Sequence, residues 1–257
     1  MATKRQKKLS KEEIEDVSTW DQERSYLKKV KSLAMPIEIK CRSKAQHDVI
    51  SIIESKVISI VTGPPGTGKT YLSCAKALQF LKEEANTYRK IILIKSVNVP
   101  KNEEIGYLKG TMEEKMEMYM YPFISNFHKV IGKAATEELK SSGAIEILPI
   151  KFALGVTLDD SVIIIDEAQQ IAKDDLRTLI TRIGTNSKMI FLGDIKQKSV
   201  NKREKSALEI LMEHFNNINE IGMVQLGRED IVRHPIIKKL EEIFDKIEAS
   251  EKLNGSK

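Results

Sequence analysis

Residues 57–70 read VISIVTGPPGTGKT, a β-branched run that breaks into a glycine-rich turn and then opens a helix. The spacing G-x-x-x-x-G-K-T between an apolar strand and a helix is that of a phosphate-binding P-loop. Its glycines let several backbone N–H groups point at one anion, and the new helix adds the positive end of its dipole. A plain glycine turn is the alternative, but it would need neither the Lys-Thr pair nor the flanking pattern. The segment therefore predicts a nucleotide-binding site.

The P-loop residues have separable roles. We expect Lys69 to neutralise the β- and γ-phosphates and the Thr70 hydroxyl to hold Mg²⁺. The other predicted phosphate-binding residues are Gly63, Pro64, Pro65, Gly66, Thr67 and Gly68. The cofactors that this segment predicts are ATP and Mg²⁺.

Length and composition limit the function classes. A chain of 257 residues can bury one substantial α/β core with small appendages. Its 42 basic and 37 acidic residues leave a net charge of +5, which permits a polyanionic partner without requiring one. Two cysteines far apart in the sequence are typical of a reducing compartment. With neither a membrane-length apolar run nor a signal-peptide core, we expect a cytoplasmic protein without a membrane partner.

Apolar runs alternate with helical patterns along the chain. Beyond the strand that enters the P-loop, strands are predicted at residues 90–95, 145–149, 161–167, 188–192 and 223–226. Helices are predicted at residues 10–33, at 42–53, from the P-loop to 85, and at 174–183, 207–215 and 235–247. The continuous apolarity of the strands suits parallel strands covered on both faces. The pattern therefore predicts an α/β fold, a doubly wound, mostly parallel sheet with helices on both faces and an N-terminal helical extension.

One domain with appendages accounts for this pattern. We expect a charged tail and helix over residues 1–40, a P-loop NTPase domain over 41–248 with an insertion at 96–143, and a disordered tail over 249–257. In the insertion, methionines recur at helical spacing after Thr111, and aromatic residues follow them. Such a stripe favours core packing, whereas a position at the carboxyl end of the sheet would favour a functional insertion. If the insertion lines a basic channel, a nucleic-acid partner is indicated. If it instead exposes an apolar patch, a protein partner is indicated.

Two acids end the most apolar predicted strand, on the same edge of the sheet as the P-loop. We expect Asp166 to join Thr70 in holding Mg²⁺ and Glu167 to accept a proton from, or orient, the attacking water. The next strand ends in a Gly-Asp turn, which brings Asp194 and Gln197 beside those acids. The Gln197 carboxamide can donate to a γ-phosphate oxygen and accept from water, so we expect it to report whether the third phosphate is present.

These residues carry a family resemblance. The P-loop, Asp-Glu-Ala-Gln at 166–169 and Gly-Asp-x-x-Gln at 193–197 resemble motifs I, II and III of superfamily 1 helicases. Residues 40–245 as a whole resemble the PhoH family, the phosphate-starvation-inducible ATPases of bacteria and phages. The further motifs that carry this resemblance are Gly-Tyr-Leu-Lys-Gly at 106–110, Thr-Arg-Ile-Gly at 181–184 and Val-Arg-His at 232–234. The resemblance implies an ATP-hydrolysing RecA-like domain with a role in RNA metabolism.

The resemblance also bears on single residues. It places Gln46 where the helicase-like Q motif reads the adenine edge. Ser96, Leu154 and Val156 stand where bacterial members usually have arginines. In lacking these arginines the chain resembles phage-encoded members of the family. For a phage-encoded protein the expected location is the cytoplasm of the host.

Two function classes fit these motifs. The leading hypothesis is an enzyme that couples Mg²⁺-dependent ATP hydrolysis to the remodelling of RNA or single-stranded DNA. The alternative is a nucleotide-gated interaction protein, in which slow hydrolysis switches a partner-binding surface and no nucleic acid is moved.

The chain has residues for one RecA-like domain, whereas superfamily 1 helicases bind ATP between two. A lone domain would lack an arginine finger, so we expect a neighbouring copy to supply one within a homo-oligomeric ring. The family resemblance implies a hexamer. The candidate fingers are Arg233 and Arg182, with Arg228 as a weaker third.

Overall fold

The computed structural model describes residues 36–95, 112–197 and 205–254, and in these ranges six parallel strands form one sheet. The strands are β1 Ile58–Thr62, β2 Lys90–Lys95, β3 Ile145–Ile147, β4 Ser161–Asp166, β5 Lys188–Gly193 and β6 Ile221–Gln225. Their order across the sheet is β3-β2-β4-β5-β1-β6, and every neighbouring pair is parallel. The predicted α/β fold with a parallel sheet is confirmed.

Eight α-helices surround the sheet in the described part of the chain. They are α1 Lys44–Ser55, α2 Lys69–Glu83, α3 Met112–Ile131, α4 Lys133–Ser141, α5 Ile150–Ala153, α6 Lys173–Ile180, α7 Ala207–His214 and α8 Ile236–Asn254. Short 3-10 helices occupy Ala168–Gln170, Ile195–Gln197 and Arg228–Asp230. As none of the described helices is both long and apolar enough, none is a candidate membrane span.

The core has two layers, one on each face of the sheet. Successive strand residues point to opposite faces, so Ile91 and Leu93 of β2 join one layer while Ile92 and Ile94 join the other. Helices α1, α2 and α3 cover the first layer, and α5, α6 and α7 cover the second. Burial on both faces explains why these strands read as continuous apolar runs.

Local signals place most helices close to their predicted bounds. Helix α1 begins after Ser43, whose side chain accepts the backbone N–H of Gln46 at 3.2 Å, as a serine N-cap should. Helix α6 ends at Ile180, three residues early, because Ile183 forms a parallel β-bridge with Leu158.

The last helix is longer than predicted. It continues to Asn254 instead of ending near residue 247, because no glycine or proline follows until Gly255. Residues 249–254, which the sequence assigns to a disordered tail, are therefore helical.

Helices α3 and α4 connect β2 to the edge strand β3. Met120, Phe123 and Phe127 of α3 are buried in the layer shared with α2, which supports the packing interpretation of the methionine and aromatic stripe. Lys129 and Lys133 are exposed. The predicted helix 10–33, the 106–110 motif, Ser96 and Thr111 lie outside the described residues, as do the side chains of residues 112–119.

Candidate nucleotide-binding site

Three loops meet at the carboxyl edge of the sheet. Strand β5 lies between β1 and β4, so the P-loop, the Gly193-Asp194 turn and the Asp166-Glu167 pair leave the sheet side by side. Together they line a cleft of about 940 Å³. Crevices at this edge are where open α/β sheets bind ligands.

The P-loop has the backbone of an anion-binding turn. Gly63, Gly66 and Gly68 all have positive φ, at 144°, 87° and 88°, a region that is accessible to glycine at little cost. The Lys69 ammonium donates to the carbonyls of Gly63 at 2.6 Å and Pro64 at 3.0 Å, and is thereby held inside the turn. Burial lowers the pKa of Lys69, while the nearby carboxylates of Asp194, Asp166 and Glu167 act against that shift.

The predicted magnesium ligands lie together. The hydroxyl of Thr70 is 3.4 Å from Asp166 Oδ2, across the gap between α2 and the end of β4. Hydroxyl and carboxylate oxygens are donors that Mg²⁺ prefers, and it completes its shell with water and phosphate oxygens. The described residues hold no cluster of three or more His, Cys, Asp or Glu suited to a metal. The predicted metal ion at this position would be held by Thr70, Asp166 and the substrate.

Asp166 is costly to ionise in the protein without ligands. Burial, and to a smaller degree the charge of Glu167, raise the pKa of Asp166 from 3.8 to about 6. The folded state therefore binds a proton between about pH 4 and pH 6 that the unfolded state has released, and folding loses stability as the pH rises through that window.

Replacing Asp166 with asparagine should therefore stabilise the ligand-free protein above pH 6. The expected gain is about 3 kcal/mol at most, since each pKa unit corresponds to about 1.4 kcal/mol. The gain should disappear below pH 4, where the wild-type carboxyl is neutral. Urea denaturation of both proteins from pH 4 to pH 8 measures the difference, and a constant difference would contradict the prediction.

Glu167 is oriented by an unusual backbone and a hydrogen bond. Its φ of 57° is left-handed, a conformation that non-glycine residues adopt rarely and often at functional sites. Gln169 Nε2 donates to Glu167 Oε2 at 2.6 Å, and Gln169 Oε1 accepts the backbone N–H of Asp194 at 3.1 Å. A Cβ on Gly193 would lie 2.3 Å from that Oε1, so only glycine leaves room for the bridge. Buried Gln169 thus joins the loops after β4 and β5.

A second hydrogen bond, besides those of Gln169, joins the loop after β5 to the loop after β4. Gln170 Nε2 donates to the backbone carbonyl of Gln197 at 2.8 Å. The Gln197 side chain is exposed and lines the cleft, while burial raises the pKa of Asp194, another lining residue. Gln197 therefore lies at the cleft with its backbone joined to the loop after β4, and its role as a phosphate sensor stays a prediction.

Gln46 is buried against the P-loop. Its Nε2 donates to the carbonyl of Thr67 at 2.9 Å, and its Oε1 accepts the backbone N–H of Arg42 at 2.7 Å. These bonds use one of its two N–H groups and one of its two oxygen lone pairs. Gln46 also lines the cleft, and its reading of an adenine edge stays a prediction.

The candidate arginines lie in three different places. Arg233 packs on its own P-loop. Its side chain lies so close to Gly66 that a Cβ at that position would be 2.9 Å from Arg233 Cδ. The preceding residue, Val232, donates its backbone N–H to the carbonyl of Gly66 at 3.0 Å. Arg182 lies at the opposite edge of the sheet, where its carbonyl accepts the N–H of Leu158 ahead of β4. Arg228 pairs with Asp245 of α8. Arg233, which was predicted to serve a neighbouring copy, lies against the P-loop of its own chain, and its action on a neighbour stays a prediction.

Some cleft residues were not predicted. Gln169 has a sequence signal, since it lies two residues after Glu167 and at the start of a turn. Residues 36–42 and Asn126 of α3, which also line the cleft, have none. They are distant in sequence and come together only through the packing of α2 and α3.

The chain is similar to proteins of a known family. The family model described as PhoH-like protein matches residues 38–245. The PhoH-like protein of Bacillus subtilis (strain 168) is 36% identical over 224 residues, which cover 87% of this chain and 69% of that protein. Protein PhoH of Escherichia coli (strain K12) is 31% identical over 203 residues, which cover 78% of this chain and 56% of that protein.

Solved helicase structures also match in part. The Pif1 helicase from Candida albicans matches with a TM-score of 0.38 and 16% identity, covering 75% of this chain and 42% of the helicase chain. Arterivirus nonstructural protein 10, a helicase, matches with a TM-score of 0.33 and 15% identity over 72% of this chain and 36% of that one. This chain thus matches just over half of the Escherichia coli protein and less than half of either helicase chain.

Proposed function

Because this chain belongs to the PhoH-like protein family, we propose that it couples Mg²⁺-dependent ATP hydrolysis to the remodelling of RNA or single-stranded DNA. The observation that carries the hydrolysis is the cleft, in which Lys69, the Thr70–Asp166 pair and Glu167 face one space. A P-loop beside two acids is the arrangement that phosphoryl transfer to water requires.

Each residue has a role that its position supports. The P-loop N–H groups and Lys69 bind the phosphates, and Thr70 and Asp166 hold the metal ion, which supplies positive charge to the phosphate oxygens. Glu167 accepts a proton from the attacking water or orients it. Gln169 holds the Glu167 carboxylate in place through its 2.6 Å bond and so acts as a positioning residue.

Nucleic acid is the partner that surface chemistry favours near this edge. The net charge is +5, and Lys129 and Lys133 are exposed along α3 and α4. Phe152, which is 68% exposed, follows the carboxyl end of β3 and offers a ring on which a base can stack. The predicted location, the cytoplasm of a cell or of a phage host, is part of this proposal.

Purified protein should hydrolyse ATP faster when RNA or single-stranded DNA is added, with each polymer tested separately. Gln197→Ala should bind ATP within a few-fold of wild type and lose the stimulation, because Gln197 lies beside the acids and not on the P-loop. Phosphate release with and without polymer measures this. Equal stimulation of the two proteins would exclude Gln197 as the sensor, and hydrolysis unaffected by either polymer would favour the interaction protein.

The second candidate, a nucleotide-gated interaction protein, is favoured by one observation. Five large apolar side chains of α8 are exposed, and this helix also contacts the loop after β5 through Asp245 and Lys196. A protein partner on α8 would therefore contact a helix that is ion-paired to Lys196, the residue next to Gln197.

A further inference from the structure

Helix α8 presents its apolar side away from the domain. Its large exposed side chains are Ile236, Leu240, Ile243, Phe244 and Ile247, between 42% and 58% exposed. They make up half of the large hydrophobic residues that are exposed in the described part of the chain. A contiguous exposed apolar stripe of this kind marks an interaction surface.

The polar side of α8 is the side that holds it to its own domain. Lys238 donates to the carbonyl of Glu229 at 2.9 Å, and Asp245 pairs with Lys196 and Arg228. Lys238 and Asp245 are seven residues apart and lie on the helix face opposite the apolar stripe, since 3.6 residues make a turn. An amphipathic surface helix normally has the reverse orientation. The stripe is thus available to a partner while the domain keeps the helix in place.

The spacing of the stripe is that of a coiled-coil seam. In a heptad numbering, Ile236 and Ile243 occupy d positions, and Leu240 and Ile247 occupy a positions. Successive members of this set are four, three and four residues apart. We call these four residues the α8 seam. A seam of this spacing fits another helix with the same spacing, and a second copy of this chain carries one.

Charges beside the seam favour self-association in one orientation. Lys239 and Lys246 occupy the g positions on one side, and Phe244 occupies an e position on the other. In a parallel pair each g position faces the e position of the next heptad of the partner, so Lys239 would meet the Phe244 ring. In an antiparallel pair the lysines would face one another. We propose that α8 associates in parallel, seam against seam, with the α8 helix of a second copy of this chain.

Sedimentation of the full chain across micromolar concentrations tests the proposal. The wild-type protein should form an oligomer, and Leu240→Asp should weaken association on the order of tenfold or more. Phe152→Asp, which removes a more exposed apolar side chain outside α8, should associate like wild type. Circular dichroism of each variant establishes that it is folded.

A charge reversal tests the orientation. Lys239→Glu should weaken association by about two- to fivefold, because it removes the cation from the partner's Phe244 ring, whereas Lys239→Arg should keep it. A strengthened Lys239→Glu protein would overturn the parallel arrangement, because only an antiparallel pair brings that position next to Lys246. A folded wild-type chain that stays monomeric, or a Leu240→Asp variant that associates normally, would overturn the proposal as a whole.

Discussion

Glu167→Gln should bind ATP like the wild-type protein and hydrolyse it about 10²–10⁴ times more slowly. The range is that of a lost general base, since glutamine has the size of glutamate but cannot take a proton from water. The bond from Gln169 explains why binding should survive, because a glutamine oxygen at position 167 can still accept it. The P-loop, which supplies the phosphate contacts, is unchanged.

Lys69→Ala should differ by weakening both ATP binding and turnover. It removes the cation held inside the P-loop, where its Nζ lies 2.6 Å from the carbonyl of Gly63. Equilibrium binding of a fluorescent ATP analogue and single-turnover phosphate release separate the two effects. Glu138→Gln, an exposed change on α4, is the matched control for Glu167→Gln. Wild-type hydrolysis by Glu167→Gln would show that another group activates the water.

Arg233→Ala should lower the rate of hydrolysis by about 10³-fold or more, the scale on which arginines act in other P-loop enzymes. Arg233 packs on Gly66 of its own chain, and the adjacent bond from Val232 to Gly66 holds the turn there. The arginine can therefore serve its own P-loop without a partner. Arg177→Ala, an exposed arginine on α6, should hydrolyse ATP normally and is the control.

Mixing two inactive variants distinguishes action within one chain from action across an interface. If Arg233 serves its own chain, a mixture of Lys69→Ala and Arg233→Ala should stay inactive, because every subunit lacks one of the two groups. Restored activity would show that Arg233 acts on a neighbouring copy, as a lone RecA-like domain would require. The hexameric ring stays a prediction, to be checked by sedimentation of the wild-type protein.

The P-loop, the strand pattern and the two acids could be predicted from the sequence because each is a local signal. Strands that are buried on both faces have continuous apolar sequences, which can be recognised directly. The P-loop can be recognised from the G-x-x-x-x-G-K-T spacing together with the strand before it and the helix after it. The acids follow directly from a strand end. Each of these inferences depends on a few consecutive residues, so no knowledge of the strand order is required.

The tertiary structure determined which distant residues meet. Strand order places β5 between β1 and β4, which lets Gln169 join Glu167 to the Asp194 backbone. The return of the chain after β6 brings Arg233 onto Gly66, and a sequence pattern cannot report a contact between segments so far apart. The direction of the α8 apolar stripe is likewise a matter of packing. Periodicity reveals that a helix has an apolar face, but only the contacts of Lys238 and Asp245 show that this face is turned away from the domain.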